Sequence, residues 1–274
     1  MLSDILVVLG ESDKAEMPYA LSLARRFDSR VTVARPRRDL SLSIDGSLEA
    51  RREYARGDRE PRDAHIRQML EDFGAQAKAA GVEAEILDFD DPNNLEPRDV
   101  PQFARCFDLV VVEQVEPGRP PSLNDLTGAI LAESGRPVIV VPGIQREPAR
   151  FERILGAWDG SRASARALGD AAPLLERAER VEIVAANAAV ASQLVVSGGE
   201  RIARRLARRG VEARFQRIPG DGDPANILLS YAADMSADMI VAGGYGHSRL
   251  REAILGGVTR TLLGSMTVPV FMSH

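Results

Sequence analysis

The residues best suited to chemistry lie near the C-terminus: Ala242-Gly-Gly-Tyr-Gly-His-Ser-Arg249 and, ten residues after Gly246, Gly256-Gly257-Val258-Thr259. Glycines let a backbone approach a ligand closely and turn its N–H groups toward an anion. A helix starting at Gly257 would add its free N–H groups and the positive end of its dipole. Thr259 can add a hydroxyl, and His247, Ser248 and Arg249 could donate from the rim. The chemistry is that of a phosphate cradle, although the same glycines would equally serve a tight turn and close helix packing. A second group is Ala157-Trp158-Asp159-Gly160-Ser161, which puts a carboxylate at the end of an apolar stretch. There Asp159 could accept from an adenine amino group or a ribose hydroxyl, or else cap the helix that begins near Arg162.

The elements that must position these residues emerge from an internal repeat. Ile5-Leu-Val-Val-Leu9 before Gly-Glu-Ser parallels Ile154-Leu-Gly-Ala-Trp158 before Asp-Gly-Ser. Phe107-Asp-Leu-Val-Val-Val112 parallels Ala237-Asp-Met-Ile-Val-Ala242, and Arg136-Pro-Val-Ile-Val-Val141 parallels Val268-Pro-Val-Phe-Met272. Landmarks in the same order describe a tandem duplication. In the second copy, strands are expected near 153–158, 180–186, 212–217, 238–243 and 268–273, with helices near 162–177, 199–209, 224–235 and 255–265. Asp223-Pro224 reads as an N-cap followed by Pro at the first helical position. Strands apolar throughout suit a parallel sheet covered on both faces. The expected fold is therefore α/β, two tandem doubly wound parallel-sheet domains of Rossmann-like type, 1–147 and 148–274. The polar segment Gly143 to Phe151 is the expected linker, and Arg35 to Asp63 an inserted, charged stretch forming a solvated helix.

Composition narrows the function. The 274 residues carry 35 basic and 40 acidic groups, net −5, which argues against a nucleic-acid or anionic-membrane binder. Residues 1–150 carry 20 basic and 27 acidic groups, so an anionic ligand is better hosted by the second copy. No apolar run is long enough to span a bilayer, and the N-terminus lacks the basic start of a signal peptide, so a cytoplasmic protein is expected. The single cysteine, Cys106, sits in a core-like stretch and is expected to pack. His65, His247 and His274 are too scattered to form a metal site. There is no GxxxxGK[ST] loop, HExxH or nucleophile elbow.

Gly243-x-x-Gly246, nine residues from His247 to Leu255, then Gly256, with Tyr245-Gly-His-Ser-Arg249, Leu255-Gly-Gly-Val258 and the closing Val-Pro-Val270, resembles the universal stress proteins (UspA-like) in their tandem two-domain form. The resemblance covers essentially the whole chain. It implies an adenine-nucleotide-binding stress-response or regulatory protein, not an enzyme, with ATP, ADP or AMP as ligand and Mg accompanying ATP. Asp159 would contact adenine, with Ala157 and Trp158 lining the pocket and Ala186 against the base. Gly243 and Gly246 would approach ribose and phosphates, and Gly256, Gly257 and Val258 would offer N–H groups to the phosphate tail. Gly257 stands where the family has Ser or Thr, so one hydroxyl donor is missing. Family domains pair through their last strand, which here implies pairing of 137–141 with 268–272 within one chain, with a homodimer as a further arrangement. The alternatives are a slow Mg-dependent ATP hydrolase in the same pocket and a nucleotide-free protein-interaction module.

The first copy departs from this pattern. Its counterparts of Asp159, Gly243 and Gly246 are Gly10, Glu113 and Glu116, and those of Gly256 and Gly257 are Asn124 and Asp125. Three carboxylates where phosphates would lie repel them, so this copy is expected to hold no nucleotide. Two further signals carry less. Ser197-Gly-Gly-Glu200 looks like the start of a pyrophosphatase loop but follows the wrong strand. Arg201, Arg204, Arg205, Arg208 and Arg209 form a basic stripe that reads as a solvated helix face or as a partner for the acidic first copy.

Overall fold

Apolar β-branched runs such as Leu109–Glu113 (LVVVE) and Val138–Val141 (VIVV) can satisfy their backbone only by pairing, and they do so in one central sheet. The computed structural model describes residues 2–10, 15–36, 59–87, 98–114, 121–187, 192–244 and 257–274. In chain order the elements are β1 (Asp4–Val8), α1 (Glu16–Phe27), β2 (Arg30–Ala34), α2 (Arg59–Ala79), β3 (Ala84–Leu87), α3 (Val100–Ala104), β4 (Leu109–Glu113), α4 (Pro121–Glu133) and β5 (Val138–Val141). They continue with β6 (Arg153–Ala157), α5 (Arg162–Asp170), α6 (Ala172–Leu175), β7 (Arg180–Ala186), α7 (Gln193–Ala207), β8 (Glu212–Ile218), α8 (Pro224–Asp234), β9 (Met239–Gly243), α9 (Gly257–Ser265) and β10 (Val270–Ser273).

The sheet order is β3-β2-β1-β4-β5-β10-β9-β6-β7-β8, so each half presents the same order read inward from its outer edge. All pairings are parallel except β5 with β10, which run antiparallel with Val140 opposite Val270, Ile139 opposite Phe271 and Val138 opposite Met272. In each half the chain order reverses beside the first strand, between β1 and β4 and between β6 and β9.

Helices cover both faces, and each core runs across both halves. On one face α1, α2, α5, α6 and α7 bury Leu23, Phe73, Leu168 and Leu206 against Ile5, Val111, Ile139, Ile154 and Phe271. On the other face α3, α4, α8 and α9 bury Val100, Ile130, Leu228 and Leu262 against Leu6, Val140, Leu155, Ile240 and Val270. In the second half α8 is held by a buried polar cluster as well as by apolar contact. Glu182 of β7 is fully buried and receives Arg180 at 2.7 Å, Arg214 at 2.6 Å and the Tyr231 hydroxyl at 2.5 Å. Burial, then the hydrogen bond to Glu182, pushes the Tyr231 hydroxyl up to about 12.

Three expectations change. The helix near 162–177 is broken at Ala171, the C-cap of α5, because Pro173 follows at the start of α6 and has no N–H to continue the ladder. The linker is packed rather than free: Ala149 N donates to Ser22 Oγ at 2.7 Å, and the Phe151 ring lies 5.8 Å from that of Phe27. Cys106 is exposed, while its neighbours Phe103 and Phe107 pack edge to face at 5.2 Å. The basic stripe is an exposed helix face, as one of its two readings had it, running along α7 and just past its end, with Arg204 paired to Glu200 at 3.8 Å and Arg209 to Glu176. The inserted stretch from Arg35 lies outside the described residues except for residues 35–36 and 59–63.

Because Phe271 is fully buried in a core shared by both halves, Phe271→Ala is expected to cost roughly 3–5 kcal/mol. Calorimetry should show one lowered transition for the whole chain; two separated transitions would contradict the shared cores.

Candidate functional site

Open parallel sheets bind ligands beyond the carboxyl ends of their strands, where chain order reverses. In the second half that crevice lies between β6 and β9, so Asp159, two residues past β6, and Gly243, the last residue of β9, stand on its two sides. The turn after β6 is tightly specified. Gly160 has φ +80°, a conformation that side chains rarely adopt, and a Cβ there would stand 3.0 Å from Val195. Ser161 is the N-cap of α5, its hydroxyl accepting from Ser164 N at 3.1 Å. Asp159 is therefore not the cap itself. Its Oδ1 accepts from Ser161 N at 2.8 Å, which closes the turn and leaves the carboxylate exposed at the crevice. Burial pushes this carboxyl up, but hydrogen bonds from Ser161 and Ser164 outweigh it and hold it below the usual carboxylate range.

The residues flanking Asp159 divide between the faces. Ala157 packs, with Ala186 and Ile218, against the core on the α8 and α9 side. Trp158 packs against the opposite core, and its indole Nε1 donates to Val195 O at 2.8 Å. The two therefore do not line one wall together: Ala157 and Ala186 share a face, and Trp158 anchors α7. That anchoring explains Gly198 and Gly199. A Cβ on Gly198 would stand 2.9 Å from the Trp158 ring, and one on Gly199 would stand 2.3 Å from the Phe215 ring. Ser197-Gly-Gly-Glu200 is thus the interior of α7 and not a loop. The helix begins at Gln193 behind the Ser192 cap, six residues before the expected start near 199.

Gly243 has a packing reason for being glycine, since a Cβ would stand 2.5 Å from the backbone of Ala163 and Ser164. The close approach brings the first turn of α5 onto the end of β9. Beyond it α9 is described from Gly257, and among the described residues nothing lies within 4 Å of where a Gly257 side chain would start. Val258 is 44% exposed, whereas Thr259 is buried at 5%. Gly246, His247 and Gly256, with Ser248 and Arg249, lie outside the described residues. Asn187 was not singled out by its sequence. It follows Ala186 at φ 53°, and its Nδ2 donates to Gly222 O at 3.0 Å, tying the end of β7 to the turn before α8. A lone Asn at a strand end, ahead of Gly220-Asp-Gly-Asp223, is the signal that could have marked it.

In the equivalent crevice of the first half, between β1 and β4, a glutamate side chain lies beside Gly10. Glu113 ends β4 where Gly243 ends β9, is buried at 6%, and would have its Oε2 2.5 Å from a Cβ on Gly10. Glu116 lies outside the described residues, and Asn124 and Asp125 fall within α4. Among the described residues no group of three or more His, Cys, Asp and Glu is arranged to hold a metal, and no helix is long and apolar enough to cross a membrane.

Two outcomes are expected. Gly243→Ala should cost about 1–3 kcal/mol by forcing α5 from β9, read as a lowered Tm. Because the folded Asp159 carboxyl lies below its ordinary value, its contribution is present above that value and is lost as pH falls through the folded one. Asp159→Ala should melt below wild type at pH 7, and the two curves should converge in acid; a gap that widens in acid would contradict the assignment.

The family model for the universal stress protein family matches residues 150–274. Universal stress protein YxiE of Bacillus subtilis (strain 168) is 30% identical over 150 residues, taking in 44% of this chain and 98% of that protein. A universal stress protein from Archaeoglobus fulgidus DSM 4304 shares the fold with a TM-score of 0.67 at 17% identity, over 98% of this chain and 95% of that one. A protein of unknown function from Pseudomonas aeruginosa PAO1 gives a TM-score of 0.58 at 17% identity, over 99% of this chain and 92% of that one. The crevice, the glycine-flanked β9 and these matches lead to one conclusion: the chain belongs to the universal stress protein family.

Proposed function

We propose that this protein binds one adenine nucleotide in its C-terminal half and acts as a stress-response or regulatory binding protein, not as an enzyme. The observation that carries the reading is the contrast between the two crevices. The one between β6 and β9 is flanked by Asp159 and Gly243, whereas its counterpart is crossed by the buried Glu113 carboxylate. On this reading Asp159 accepts from adenine, Ala157 and Ala186 face the base, and Gly243 and Gly246 approach ribose and phosphates. The N–H groups of Gly256, Gly257 and Val258 take the phosphate tail at the positive end of α9, with Mg accompanying ATP. His247 lies within the same glycine loop. Trp158 contributes by fixing the turn from behind, and Thr259 by packing.

The reading divides the chain at 147/148 into two domains, supported by the identical strand order read from either edge. Pairing of β5 with β10 inside the chain takes the place that a second copy would hold in a last-strand homodimer.

Calorimetric titration with AMP, ADP and ATP tests the proposal. Asp159→Ala should weaken all three by a similar factor of about ten, the loss of one hydrogen bond to the shared base. Gly257→Ser adds a hydroxyl where nothing among the described residues lies within 4 Å of the new Cβ, and should tighten ATP by about three- to tenfold relative to AMP, one net hydrogen bond. Wild type that binds none of the three at millimolar concentration would overturn the reading.

A further inference from the structure

The segment from the end of β9 to the end of α9 is held at both ends by side chains of the first half, and we propose that Leu131 and Gln114 are positioning residues for the second half's nucleotide site. At one end Gly244 follows β9, its N–H donating to Ser273 O at 2.9 Å and its carbonyl oxygen 3.2 Å from His274 Nδ1. The space beside its Cα is taken by Leu131 of α4, whose Cδ2 would stand 2.6 Å from a Cβ there. Leu131 is buried at 2%, so it forms a fixed wall against which the loop leaves the sheet. At the other end Gln114 Nε2 donates to Leu263 O at 2.9 Å. Leu263 lies in the last turn of α9, where carbonyls have no donor within the helix. Gln114 is itself fixed, its N–H donating to Val141 O at 2.8 Å.

These contacts are the same pair of positions read in both directions. Gln114 follows β4 as Gly244 follows β9, and Leu131 precedes Pro137 by six residues as Leu263 precedes Pro269. A two-fold interface requires such reciprocity. The chemistry on its two sides differs, and both forms act on the second half. One supplies an apolar wall under a glycine backbone, the other a donor on the carboxyl end of α9, the helix whose amino end the proposed nucleotide site uses. By anchoring the carboxyl end of α9, Gln114 sets the direction in which the N–H groups of Gly257 and Val258 point. The half whose own crevice holds Glu113 thus works as the platform for its neighbour's phosphate cradle.

This inference rests on the nucleotide reading, and its test separates the two. The full chain, as wild type, Gln114→Glu, Gln114→Lys and Leu131→Ala, is titrated with ATP and with adenosine while Tm is recorded. Gln114→Glu sets an acceptor and a negative charge against the Leu263 carbonyl and should weaken ATP about tenfold with adenosine unchanged. Gln114→Lys, a donor and a cation at a helix carboxyl end, should restore ATP binding, and Leu131→Ala should lose affinity for ATP more than for adenosine. Wild type that binds neither ligand overturns the nucleotide reading and this proposal with it. Wild type that binds ATP, with Gln114→Glu equal to it or weakened equally for both ligands, overturns this proposal alone.

Discussion

The antiparallel seam of β5 and β10 is the constraint on which the rest of the molecule depends. Its three opposed pairs, Val140 with Val270, Ile139 with Phe271 and Val138 with Met272, make one ten-stranded sheet from two five-stranded ones. They also let both helical layers bury apolar side chains across the join, so that Phe271 and Ile139 share a core with α1 and α5. The seam leaves only β3 and β8 as outer edges. On β8 the exposed Arg214 and Arg217 put charge along that edge, a common guard against further strand addition.

Identical topology does not give identical sites. The strand order places a residue from β4 and a residue from β9 at equivalent crevices, and the type of that residue then decides how much room each crevice keeps. Glycine at 243 lets α5 close onto the strand and leaves the crevice side unobstructed by a side chain; glutamate at 113 folds a carboxylate over Gly10. Gln114 and Leu131 of the first half meet the second half at Leu263 O and beside Gly244.

Much of this was legible in the sequence, for reasons that differ by element. Runs such as Met239-Ile-Val-Ala242 are apolar on both faces because helices cover both, and the strands of the second half fall within a residue or two of expectation at nearly every end. Asp223-Pro224 starts α8 as its local chemistry dictates, with Asp223 Oδ1 accepting from Ala225 N at 3.0 Å. Illegible features were those set by distant partners. Gly198 and Gly199 lent Ser197-Gly-Gly-Glu200 the look of a loop because only the fold reveals the Trp158 and Phe215 rings that need their space. The cap alternative for Asp159 fell to Ser161 because both residue types can cap a helix. The burial of Thr259 depends on the pitch at which α9 packs, and the polar linker hid the burial of Ala149 and Phe151 against α1.

The central claim is that one half carries the site while the other is closed by its own carboxylate. Native mass spectrometry of the chain under saturating ATP tests it most directly, because it counts ligands per molecule without assuming where they sit. The account requires one nucleotide per chain. Two per chain would show that Glu113 does not close the first crevice, and none would show that the glycine-flanked crevice of the second half is architecture alone.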